Sequence, residues 1–331
     1  TLIIVSSIIF FILVLVLFYF LFIRSKALSY QVKELTRRYE YLHSILINED
    51  SKHLDHIEEI SQVNLLYTPI YDKQVARLNH LKDDKDIYAG ERIKELNEDL
   101  NAKRFKQVRK SVIAFKRYLS EFEKEVNEFN NDLLEIIRPE EKCNQALVEA
   151  KNSLERLKQH YTLHLDELFL LKKSYTEVFK YVENLFVEYE GYVEKASYED
   201  ANNLMPSIHK ILGELETANR VMPSLCVLAS RTIPFRLTDL ENEYKRMDNE
   251  QYPLYHIITP KTTSKLRNEI KEVVKKLKNF DYKGQDETLK LINAKIDTYF
   301  KAFEKERDDR RVFNEEETPT YQRVSKIEKD F

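Results

Sequence analysis

The stretch FKQVRKSVIAFKRYLSEFEKEVNEFNNDLL, Phe105–Leu134, decides the fold. Its apolar residues fall at Phe105, Val108, Val112, Phe115, Leu119, Phe122, Val126, Phe129 and Leu133, in steps that alternate strictly between three and four. A seven-residue repeat of this kind places every one of those side chains on a single seam of a helix that packs lengthwise against other helices. Downstream, a second seam runs from Cys143 through Leu147, Ala150, Leu154, Leu157 and Tyr161, then His164, Leu168, Leu171 and Tyr175, and on to Val178, Val182, Leu185, Tyr189 and Tyr192. That stretch carries no proline, so one helix of about 50 residues, ~75 Å long, is expected there and would reach from one bundle into the next. Shorter seams cover Leu28–Leu46, Leu237–Met247 and Leu266–Phe280.

Composition agrees. The 331 residues include only 4 glycines and 8 prolines, too few for the turns of a sheet protein. Charged residues make up 33% of the chain with a net charge of -3, the mixed-sign balance of helices whose outer faces carry ion pairs. The balance is not basic, so no nucleic-acid partner is expected. The class is all-α.

Candidate breaks fall at Pro69, at Asp83-Asp84 with Gly90, at Pro139, over Gly191–Ser197, at Pro223, at Pro234, and from Pro253 to Pro260. Aligning Phe105, Tyr198 and Tyr282 brings three helical segments into step, at offsets of 93 (198 minus 105) and 84 (282 minus 198) residues. Periods of that size suit a triple-helical unit in which neighbours share a helix. A long parallel dimeric coiled coil would show few breaks and one register. The breaks favour a chain that folds back on itself in spectrin-like repeats, with long shared helices. The expected divisions are an anchor over 1–23, a juxtamembrane helical region over 24–100, a first repeat over 101–194, a second over 195–280, and over 281–331 the start of a third with a charged tail. Within that tail, Glu315-Glu-Glu-Thr-Pro reads as a linker.

At the other end, Leu2–Ile23 is an apolar run whose only polar members are Ser6, Ser7 and Tyr19. As a helix, its 22 residues would cover ~33 Å, the thickness of the hydrocarbon core. Lacking a small-residue cleavage site, it reads as an uncleaved transmembrane anchor. Arg24, Lys26, Lys33, Arg37 and Arg38 follow it and no Lys or Arg precedes it. The positive-inside bias then puts the N-terminus outside and the helical array in the cytoplasm.

Signs of chemistry are few. With scattered glycines there is no phosphate-binding loop. His160, His164 and Glu167 have helical spacing that could gather metal ligands, as do His53, His56 and Glu59 beside Asp55. His164 lies on the apolar seam and the second set in a charged stretch, so a half-buried histidine and a solvated face are the readings adopted. Cys143 and Cys226 form no metal motif and no disulfide framework. No catalytic, cofactor-binding or metal-binding residue is expected, and the protein is not expected to be an enzyme.

Three features together resemble the EzrA family of septation ring formation regulators. One is the N-terminal anchor with basic residues just inside it. Another is Ser197-Tyr-Glu-Asp-Ala-Asn-Asn-Leu-Met-Pro-Ser-Ile-His-Lys-Ile-Leu-Gly-Glu-Leu-Glu leading to Val221-Met-Pro-Ser-Leu, similar to the family's aromatic, Ala, spaced Leu and Ile, and Ile-Pro-x-Leu. The last is Ile233-Pro-Phe-Arg-Leu-Thr-Asp-Leu-Glu-Asn-Glu-Tyr-Lys-Arg-Met followed by Gln251-Tyr-Pro-Leu. There Glu243 and Gln251 stand where the family usually has glycine. The resemblance covers the anchor and the N-terminal half of the family pattern, as in a truncated or divergent member, and the family's C-terminal patch rich in Gln, Asn and Arg has no counterpart up to Phe331.

The resemblance implies a membrane-anchored cytoplasmic scaffold at the division septum. Its partners would be the tubulin-like ring protein FtsZ and other division proteins, its effect would be to restrain aberrant ring assembly, and it could form a homo-oligomer. The alternative is a generic membrane-tethered coiled-coil scaffold that does not act on FtsZ.

Overall fold

The computed structural model describes the backbone of residues 2–330, while the side chains of 1–9, 13, 15, 17–18, 20–25, 318 and 329–331 lie outside the description. Among the described residues all regular structure is helical. The α-helices are α1 (Leu2–Ser44), α2 (Asp50–Val63), α3 (Thr68–Asn79), α4 (Ile87–Asn101), α5 (Phe105–Leu163), α6 (Lys172–Glu194), α7 (Tyr198–Val227), α8 (Ile233–Asn249), α9 (Pro260–Lys278) and α10 (Gln285–Asp330). Three joints are π-helical: Ile45–Glu49 between α1 and α2, His80–Asp86 between α3 and α4, and Leu228–Thr232 between α7 and α8. Much of the expected membrane run lies outside the described side chains. Among the described residues, no helix is long and apolar enough to cross a membrane.

The chain packs as two compact units, Thr1–Ala146 with Glu190–Asn202, and Leu147–Tyr189 with Asn203–Phe331. In the first, α1 and α2 run parallel to α5: Arg38 pairs with Glu123, the Asn130 amide donates to Asp50 Oδ1 at 2.6 Å, and His56 meets Glu140 at 2.8 Å. Between them α3 and α4 run the opposite way, with Lys82 donating to Ser51 at 2.8 Å and His43 against Asp86 at 2.7 Å. The seam read from the sequence is the core of this three-helix packing. Val108, Val112, Phe115, Leu119, Phe122, Val126, Phe129 and Leu133 are all buried, while Phe105 at its start is partly exposed. Gly90 allows α1 and α4 to close, since a Cβ there would lie 2.8 Å from Tyr39 Oη.

Both π-helical joints of this unit disturb the three-four spacing. In the first, Ile45 and Leu46 are buried side by side and lead on to Asp50, and in the second a step of five leads from Leu81 to Asp86, so each joint sets a carboxylate on the apolar stripe.

In the second unit, α5 and α6 form an antiparallel hairpin through Lys158 and Glu183 (2.5 Å) and the Tyr161 and Tyr175 rings (4.6 Å between centroids). The Asn219 amide joins α7 to α5 by donating to the Leu157 carbonyl at 3.0 Å. Arg236 bridges α8 to Asn293 and Asp297 of α10, and further along Arg310 donates to the Glu250 carbonyl at 2.7 Å, so α8 and α10 run parallel. Arg267 of α9 pairs with Glu241 of α8 at 2.7 Å.

Several expected breaks are displaced. Pro139 and Pro223 lie inside α5 and α7, as Pro319 lies inside α10. A mid-helix proline removes one hydrogen bond, but the helix continues through Pro139, with buried Ile137 and Cys143 packed on either side of it. The single helix expected over 143–192 is instead two. The chain turns between Leu163 and Lys172 without glycine or proline, and fully buried Leu168 and Leu171 fix the reversal. Nor is Glu315-Glu-Glu-Thr-Pro a linker, because α10 runs through it. The breaks near Pro69, Gly191–Ser197 and Pro253–Pro260 are present.

Four helices end alike. After α4, α6, α8 and α9 come Lys103, Ala196, Gln251 and Phe280, with φ of 57°, 50°, 62° and 58°. Each end closes with paired main-chain bonds. Arg104 N donates to Asp99 O and Lys103 N to Leu100 O, and Ser197, Tyr252 and Asp281 repeat the longer of the two at 2.9–3.0 Å. This is the Schellman arrangement, usually made with glycine. The three aligned aromatics, Phe105, Tyr198 and Tyr282, each follow such a residue by two positions.

Candidate functional site

The two histidine sets resolve into ion pairs and stacking. On α5, the His160 ring lies 4.6 Å from that of His164, which sits past the helix end and faces Glu167 at 3.0 Å. The chain has already left the helix at His164, so His164 and Glu167 are placed by a turn and not by helical spacing. His56 stands between two carboxylates, Glu59 at 3.3 Å and Glu140 at 2.8 Å, while His53 Nδ1 is buried without a partner. Among the described residues no group of three His, Cys, Asp or Glu side chains could hold a metal ion. Cys143 and Cys226 are both buried thiols, neither of them in a disulfide, and burial pushes Cys226 up to about 11. A thiol so raised is a poor nucleophile.

A polar constellation joining three helices centres on Glu140, one residue past Pro139. Its Oε2 receives His56 Nε2 from α2 at 2.8 Å and the Tyr198 hydroxyl from the start of α7 at 3.2 Å. Burial works against the His56 charge, but the hydrogen bond and charge of Glu140, then those of Glu59, outweigh it and raise its pKa. Burial, then Glu140, pushes the Tyr198 hydroxyl well up. Beside this node the Asn64 amide donates to the Ala196 carbonyl at 3.0 Å while its oxygen caps Leu66 N at 3.1 Å. The tight turn so fixed holds Leu65 and Leu66 in solvent, each 79% exposed. Nothing in the node suits bond-breaking. It ties α2, α5 and α7 together, and the fixed turn leaves two apolar side chains exposed. Sequence patterning did not reveal it, since Glu140 and His56 lie 84 residues apart.

The segments that carry the resemblance are core. Tyr198, Ala201, Met205, Ile208, Leu212 and Leu215 are buried, as are Met222, Leu225, Ile233, Leu237, Leu240, Met247 and Leu254. The shared pattern is thus a packing pattern. A family profile described as "Septation ring formation regulator, EzrA" matches residues 5–331.

The chain belongs to the EzrA family. Among curated proteins it is similar to the septation ring formation regulator EzrA of Halalkalibacterium halodurans, 19% identical over 65% of this chain and 38% of the relative. The Streptococcus suis EzrA is 23% identical over 82% of this chain and 47% of the relative, and that of a Geobacillus species 20% over 76% and 45%. The chain therefore spans less than half the length of these relatives. No solved structure matches. At Gln251, where the EzrA pattern usually has glycine, the backbone keeps the left-handed turn, with φ of 62°.

Proposed function

We propose that this EzrA-family chain is a membrane-anchored scaffold that regulates assembly of the FtsZ division ring, restraining aberrant rings and linking the ring to the membrane. The observation that carries this reading is the family match across residues 5–331. Parallel and antiparallel helices packed in threes within each unit support the reading of a spectrin-like array.

The anchor rests on the composition of Leu2–Ile23 and on α1, where Phe10, Phe11, Ile12, Val14, Val16 and Tyr19 are all exposed, from 47% to 72%. An apolar helical face left open is at home in lipid. With Arg24, Lys26, Lys33, Arg37 and Arg38 on its C-terminal side, the array lies in the cytoplasm and the N-terminus outside, at the division septum.

The test is co-sedimentation of the full chain, carried in lipid nanodiscs, with FtsZ polymerised by GTP. Co-pelleting, or a lower polymer yield than with empty nanodiscs, is expected. A folded chain that neither pellets with the polymer nor changes its yield refutes direct regulation and leaves a generic membrane scaffold.

A further inference from the structure

Within the second unit, α9 presents one row of cations, Arg267, Lys271, Lys275 and Lys278, at successive spacings of four, four and three. All four line a cavity of about 520 Å³. Its remaining wall is mostly apolar: Ile270 and Val274 of α9, Ala229 of the π-helical joint, Pro234 of α8 and Leu170 of the α5–α6 reversal. Ala229 and Ile270 are fully part of the core, so the floor is firm. Arg267 is engaged by Glu241 at 2.7 Å, whereas Lys271, Lys275 and Lys278 make no ion pair among the described residues. As a whole α9 carries seven basic residues against two acidic ones in a chain whose net charge is negative.

Like charges four residues apart on a helix repel one another. The helix C-terminus favours cations in its last turn, which accounts for Lys275 and Lys278 but not for Lys271 a turn earlier. Nor does it account for an apolar recess beneath the row. A recess with an apolar floor and a cationic rim is complementary to a helix with bulky aliphatic side chains on one face and carboxylates beside them.

We propose that this α9 recess is a docking site for an acidic amphipathic segment of another protein, whose aliphatic side chain fills the cavity while its carboxylates meet Lys271, Lys275 and Lys278. A concave recess favours a peptide over a bilayer, which would call for a convex apolar surface. The site is independent of the FtsZ reading and survives its failure.

The experiment is fluorescence anisotropy with the full chain in nanodiscs of neutral lipid and a labelled peptide made of two copies of Glu-Leu-Glu-Asp-Leu-Ala-Glu. Saturable binding is expected, weakened about tenfold by Lys271→Glu with Lys275→Glu, a loss of the size that two half-exposed ion pairs carry. Lys271→Ala with Lys275→Ala should weaken it less, and helix content by circular dichroism should hold in both. A control peptide with Ser for Leu, at unchanged charge, should bind several-fold more weakly. Equal binding of that control overturns the proposal, as does no binding at all. Phosphatidylglycerol vesicles capturing the chain through the same lysines, with the peptide ignored, overturn it in favour of a lipid surface. Self-association of the chain alone that disappears in the charge-reversed variant overturns it in favour of a second copy.

Discussion

Asp50 is fully buried where the π-helical joint brings it onto the apolar stripe of the first unit, with Asn130 donating to one oxygen and the other unpaired. Burial raises its pKa from 3.8 to about 6, against the lowering effects of Asn130, His53 and Lys82. An acid raised in the folded state binds more protons there than when unfolded, so its contribution to stability falls as pH rises through that window. The gap between 3.8 and about 6, at about 1.4 kcal/mol per pH unit, amounts to about 3 kcal/mol lost once the pH is above both values. Asp50→Asn keeps an oxygen for the Asn130 amide and removes the charge, but leaves its own amide without an assured acceptor, a cost of about 1–2 kcal/mol. The net expectation is a gain of about 1–2 kcal/mol near pH 8, shrinking to nothing or reversing near pH 4.5. Urea unfolding of both proteins at the two pH values, followed by circular dichroism, measures it. A change that is the same at both pH values would mean that the Asp50 carboxylate is not held at a cost, and would refute the reasoning.

Replacing Lys103 or Gln251, both exposed with left-handed backbones, by glycine should stabilise the chain by about 0.5–1 kcal/mol each, read as a higher urea midpoint with unchanged slope. His56→Gln should cost less than about 1 kcal/mol, after allowance for the solvent around a side chain 37% exposed, and only at acidic pH. A histidine raised in the folded state contributes fully below its unfolded value near 6.5, and the contribution disappears as pH rises past the folded one. A cost that persists unchanged near pH 9 would contradict the Glu140 ion pair. Tyr175→Phe removes a hydroxyl that is buried without a partner, and should leave stability unchanged or raise it by about 1 kcal/mol.

The helices were legible because the seam is redundant. Eight of nine positions from Phe105 to Leu133 are buried, so no single departure could hide the period. Chain reversals were legible only where a residue type marks them. Pro69 and Pro260 mark helix starts, but the turn after Leu163 has no such residue, and the apolar rhythm continues through it to Leu168, Leu171 and Tyr175. Burial imposes the same spacing on both sides of a hairpin, so periodicity alone cannot tell one long helix from two. Pro139 misled for the opposite reason: its local cost is real, but packing on both sides outweighs it. The buried carboxylates at Asp50 and Asp86 were invisible, since an acidic residue on the stripe looks like any other polar interruption. The Glu140 node joins residues that only the folded chain brings together. The resemblance worked because its residues are themselves the core.

The four glycine-free Schellman ends bear on how the chain can change. Each reversal is closed by the same paired backbone bonds, so no one residue type is required at its left-handed position, as Lys, Ala, Gln and Phe at the four places attest. Spacing is another matter. A helix advances about 100° per residue, so one residue gained or lost between Lys103 and Val108, or between Ala196 and Ala201, would swing the next seam away from its partners. Composition at these corners can drift while the number of residues cannot, and chain length there acts as the phase setting that keeps successive helices facing one another.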